Sequence, residues 1–199
     1  MRNTTIKALI ALTAIFSFSA SAALITNEDF TGGASGWSNN STSTIAGNEV
    51  LGGFNLFGAG ATAEKTFALS GTQTEVYINL DFWKGDSWDG ESFMVTANNN
   101  VLFSNSYTYA QGSQVAGQMY NLWNELLVPI NLVFNTSATS LTLRFSSTLD
   151  QGPNDEWWAV DNVRISDNAS AHVPEPNTLG LLLLALGAVF AIRQLRKAA

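Results

Sequence analysis

The sequence predicts an all-β fold, a single β-sandwich of the jelly-roll type. Three observations lead there. Two stretches alternate apolar and polar residues with a period of two, short apolar runs recur between turn-forming residues, and no window shows a helical period. The folding region is 23–172, flanked by an expected signal peptide over 1–22 and an expected transmembrane helix near the C-terminal end.

The N-terminal end has the order of a secretory signal. Arg2 and Lys7 are followed by an apolar run over 8–18 and by Ala20-Ser21-Ala22, a small-x-small cleavage pattern. The apolar run is too short to span a bilayer. The mature chain is expected to begin at Ala23.

Within the domain, Val76, Ile78, Leu80 and Phe82 alternate with Glu75, Tyr77, Asn79 and Asp81. Leu141, Leu143 and Phe145 alternate with Thr142, Arg144 and Ser146. Alternation of this kind buries one face of a strand and wets the other. Further strands are expected over 24–30, 49–54, 62–69, 93–97, 101–104, 125–134 and 158–165. Turns are expected at Gly32-Gly33, Gly52-Gly53, Gly71, Asn98-Asn99-Asn100 and Gln151-Gly152-Pro153-Asn154. Many short strands with turns between them point to a sandwich.

The C-terminal end, 173–199, reads as a sorting or anchoring segment. Val173-Pro174-Glu175-Pro176 is stiff and extended, because proline fixes its own φ and restricts the residue before it. Residues 178–192 carry no charge, and Arg193, Arg196 and Lys197 close the chain within 193–199. Fifteen helical residues rise roughly 22 Å, against ~30 Å of hydrocarbon, so spanning calls for local thinning or help from flanking residues. The basic end is expected on the cytoplasmic side, with the domain outside.

Taken together, 173–176, the leucine-rich segment and the basic end resemble the PEP-CTERM sorting signal of Gram-negative bacteria, a tail also called the ice-binding protein C-terminal domain. The resemblance implies an exosortase-type membrane enzyme as partner. It also implies an inner-membrane-anchored intermediate, and then release or attachment at the cell surface alongside exopolysaccharide and biofilm. A second resemblance covers the domain. Leu24-Ile25-Thr26-Asn27-Glu28-Asp29-Phe30 with Gly36-Trp37, and Val160-Asp161-Asn162-Val163-Arg164-Ile165, are similar to the opening and closing strands of galactose-binding-like jelly rolls. That fold is shared by many carbohydrate-binding modules, which often have glycine where Glu28 stands and an acid where Thr31 stands.

Charge narrows the partners. Fifteen carboxylates against four bases (Lys65, Lys84, Arg144, Arg164) leave 23–172 at a net −11. Such a surface repels nucleic acid and anionic lipid and suits cations or neutral ligands. The chain has no cysteine, so no disulfide supports an exported fold.

Two constellations could carry a function. Asp86, Asp89 and Glu91 crowd one loop, Asp155 and Glu156 form a second acidic pair, and Asp161 follows within the same segment. If their strands are neighbours, the two sets converge on a structural Ca2+; the alternative is a pair of solvated acidic turns. Among six tryptophans, Trp83, Trp88 and Trp157 are candidates for a sugar-stacking face, the alternative being core packing. Catalysis has less support. The one histidine, His172, lies outside the domain, there is no cysteine nucleophile, and Gly52, Gly53, Gly58 and Gly60 precede no helix as a phosphate loop requires. A glycosidase pair would be Asp89 with Glu156. The expectation is a non-enzymatic, calcium-stabilised domain displayed outside the cell and associated with extracellular polysaccharide. Two alternatives stand beside it: a structural or adhesive matrix protein, and a secreted glycan-active enzyme.

Overall fold

A computed structural model of the chain describes residues 23–71, 73, 75–115 and 123–167, and ten strands lie among the described residues. The expected signal peptide, His172, the 173–176 motif, the 178–192 helix and the basic residues Arg193, Arg196 and Lys197 lie outside the described residues. Among the described residues, no helix is long and apolar enough to cross a membrane.

The strands are β1 (Leu24–Glu28), β2 (Thr42–Ile45), β3 (Asn48–Gly52), β4 (Thr62–Ala68), β5 (Glu75–Asp86), β6 (Asp89–Ala97), β7 (Asn100–Thr108), β8 (Leu126–Asn135), β9 (Ser140–Ser147) and β10 (Glu156–Ser166). Their pairing is nested: β6 with β7, β5 with β8, β4 with β9 and β3 with β10, all antiparallel. The chain is therefore one long hairpin rolled into two sheets, β2-β3-β10-β5-β8 and β4-β9-β6-β7, with β1 also on β10. A rolled hairpin of this order is a jelly roll.

All nine expected strands are present, and β2 is the additional one. Its Thr-Ser-Thr-Ile sequence has no clear alternation, but Ala46 and Gly47 (φ 52° and 88°) form a two-residue turn that folds it onto β3. Asn98 and Asn99 (φ 48° and 66°) do the same between β6 and β7, where the sequence places a turn. The strand read over 75–82 continues to Asp86, and the one read from 158 starts at Glu156. Those two extensions bring Asp86 and Glu156 into β5 and β10, with Asp86 at a positive φ of 69°.

Alternation divides β10 between two apolar clusters, with its parity reset by an irregularity between Asp161 and Arg164, where Asn162 has φ 52°. Trp158, Val160, Val163 and Ile165 enter the main core between the sheets, with Val76, Ile78, Leu80 and Phe82 of β5 and Phe93, Val95, Leu141, Leu143 and Phe145 of the second sheet. Phe82 stacks on Phe93 with centroids 3.9 Å apart, and Trp37 on Phe145 at 5.2 Å. Trp157 and Ala159 join a smaller cluster with Ile45, Val50 and Trp83, covered by Phe54 and Val115. Gly85 makes room for Trp157: a Cβ there would lie 1.9 Å from the indole ring.

Candidate functional site

The acidic site follows from strand parity. Glu156 opens β10 two residues before Trp158, so alternation directs it toward the core face of the first sheet. Glu91 lies two residues before Phe93 and takes the core face of the second. The two side chains thus enter the mouth of the sandwich from opposite sheets. Asp150, on the loop between β9 and β10, joins them, and carboxylate oxygens of the three lie within 4.8 Å of one another.

Glu156 is the anomalous member. It is fully buried, and neither carboxylate oxygen has a hydrogen-bond partner among the described residues. Burial, reinforced by the charges of Glu91, Asp150, Asp89 and Asp155, pushes it up to about 7. Glu91 is half-buried, and its Oε2 accepts the Asp89 backbone N–H at 2.7 Å.

The structure rearranges the expected six-acid set. Glu91 and Glu156 meet, with Asp150 as a member the sequence reading missed. Asp89 stands beside Glu91, exposed. Asp86 is buried next to Lys84 instead; burial, with Asp155 and Glu125 nearby, pushes it up to about 6. Asp155 is exposed and accepts the Ser87 hydroxyl at 3.0 Å. Asp161 is corrected outright: five residues along β10 from Glu156, it is roughly 16 Å away by strand geometry. There it borders a polar groove lined by Asp29, Thr44, Glu49 and Asn162.

The expected aromatic ligand face is also corrected. Trp83, Trp88 and Trp157 are all buried. Trp88 occupies the short turn between β5 and β6, but its ring packs edge-on against Phe82 and Tyr107, because core volume at the end of the sandwich is open to it. Trp83 and Trp157 form the second cluster on the other face of the first sheet. The exposed aromatic pair lies elsewhere. Tyr109 and Trp123, in the β7–β8 connection, are 46% and 38% exposed, with ring centroids 4.7 Å apart and planes 58° apart.

Residues 172–197 match the PEP-CTERM protein-sorting motif. That motif is a bacterial signal for exosortase processing, export and cell-surface sorting. No curated protein sequence matches the chain. Among solved structures, the chain is similar to the K3 cleaved adhesin domain of Lys-gingipain from Porphyromonas gingivalis, with 15% identity, TM-score 0.47, and coverage of 72% of this chain and 99% of that one. It is similar to the CBM22-1 xylan-binding domain of Paenibacillus barcinonensis Xyn10C, with 13% identity, TM-score 0.45, and coverage of 76% and 99%. It is also similar to a carbohydrate-binding module of Cellvibrio mixtus lichenase 5A, with 14% identity, TM-score 0.39, and coverage of 74% and 100%.

Proposed function

We propose that this exported domain is a non-catalytic binding module for a neutral extracellular polysaccharide, delivered to the surface by its sorting tail through a membrane-anchored intermediate held by 178–192. The observation that carries the reading is the Tyr109–Trp123 pair: two large aromatic side chains left in solvent on a domain that buries its other described tryptophans. Exposed aromatic rings present flat apolar faces, onto which the C–H faces of sugar rings stack. The net −11 of the domain favours a neutral glycan over an acidic one. The burial of Glu156 supports the absence of catalysis, since a general acid must reach the glycosidic oxygen to protonate it.

Affinity electrophoresis of the full-length protein in detergent, through gels containing neutral or anionic polysaccharides, tests this. Retardation by at least one neutral glycan, lost in Tyr109→Ala and Trp123→Ala with unchanged circular dichroism, is the expected result. No retardation by any glycan, with folding intact, favours a structural or adhesive matrix role. A glycan turnover abolished by Glu156→Gln without unfolding favours the enzyme.

A further inference from the structure

We propose that Glu91, Asp150 and Glu156 form a calcium site at the mouth of the sandwich, which clamps the β9–β10 loop across the two sheets. A group of acids alone would not carry this, since acidic turns are common on exported proteins. What separates this one is Glu156: a fully buried carboxylate with two unpartnered oxygens, facing two further carboxylates within 4.8 Å. Buried charge is tolerated when it is paired or bound to metal, and no cation of the protein satisfies Glu156 among the described hydrogen bonds. Three carboxylates held this closely repel one another unless a proton or a cation intervenes.

The donor set selects the ion. It is all oxygen, without nitrogen or sulfur, which suits a hard cation. The three carboxylates offer up to six oxygens, and one of them, Glu91 Oε2, already accepts a backbone N–H. Calcium takes six to eight oxygens in irregular arrangements, whereas magnesium demands a near-ideal octahedron. Two ligands come from fixed strands in different sheets and the third from a loop, an irregular frame that fits calcium. The consequence is mechanical: the ion ties β6 to β10 at the end of the sandwich where no disulfide can.

The test uses the full-length protein in detergent, stripped with a chelator. Extracellular calcium modules bind with Kd on the order of 10⁻⁴ to 10⁻³ M. At about 10 mM calcium, a site at the tight end of that range raises Tm by roughly 5–10 °C. Terbium, used as a calcium stand-in, gives tryptophan-sensitised emission because Trp157 and Trp158 adjoin Glu156. Calcium competes that emission away. Asp150→Asn and Glu156→Gln lose both the Tm rise and the emission, while Asp155→Asn retains both. Should Glu156→Gln fail to fold, the exposed Asp150 supplies the decisive variant. An unchanged melt with no terbium emission overturns the proposal, as does an equal response to magnesium, or a calcium response that survives Asp150→Asn.

Discussion

The indole N–H of Trp88 donates to the backbone carbonyl of Trp157 at 3.1 Å, joining the β5–β6 turn to the start of β10 inside the protein. Both side chains are buried, although each stands next to an acidic residue in the sequence. Trp88→Phe keeps most of the ring volume and leaves that carbonyl without its donor, so a stability loss of about 1–3 kcal/mol is expected. Trp88→Ala also opens a cavity and costs about 3–5 kcal/mol. Trp123→Ala, at an exposed position, changes stability by only about 0.5 kcal/mol or less. Urea unfolding of the three variants checks the ranking, and a mild Trp88→Ala would contradict the packing.

Gly85 predicts a clash that no propensity scale would reveal. Its backbone is ordinary strand, but an added Cβ would lie 1.9 Å from the Trp157 ring. Gly85→Ala must displace that indole from the cluster with Trp83, Ile45 and Val50. Overpacking of this kind costs typically about 1–3 kcal/mol. A lowered Tm, with the loss offset in a Gly85→Ala/Trp157→Leu double variant, is the expected outcome. Additive losses would place the clash elsewhere.

Much of the fold was legible because alternation in 75–82 and 141–146 reports burial directly, and the Asn98–Asn99 turn has side chains suited to positive φ. The acidic site was only half legible. Glu156 and Glu91 are placed by strand parity, but parity needs the strand ends, and both strands begin earlier than their apolar residues announce. Asp150 lies six residues before Glu156 and reaches it only through the closure of a loop, whereas the nearer Asp155 turns toward Ser87. The one available signal was an acid just ahead of the Gln151–Asn154 turn. For the tryptophans, a polar flank suggests exposure, yet turn residues between strands of opposite sheets can still point into the core.

Glu28, at the end of β1, anchors the first loop to the second sheet. Its carboxylate accepts the Trp37 indole N–H and the Lys65 ammonium, each at 2.6 Å. Lys65 also donates to the Ser35 carbonyl at 2.8 Å. Glu28→Ala leaves the buried Trp37 indole without its acceptor, a loss expected at about 1–3 kcal/mol. Glu28→Gln keeps one acceptor oxygen and recovers part of it. Thermal melts of both variants test the order, and equal losses would show that the ion pair with Lys65 carries the effect.

Lys84 sets the alkaline behaviour. Its side chain is fully buried, and its ammonium donates to the carbonyl oxygens of Asp86, Thr108 and Asn124, which is how a charge is accommodated there. Burial outweighs the opposing attraction of Glu125 and Asp86 and lowers its pKa from 10.5 to about 8. With the folded value depressed, the unfolded chain binds more protons between these values, so stability rises as pH climbs through 8 toward 10.5 and is lost on descending through 8. Burial raises the Tyr107 phenol above its ordinary 10.0, and its opposite contribution begins only above that pH. The window is therefore pH 8 to 10. A urea midpoint that increases across this window, and a flat profile in Lys84→Met, are the expected results. A wild-type midpoint that stays flat across the same window would mean that the three carbonyls hold Lys84 protonated at its usual strength.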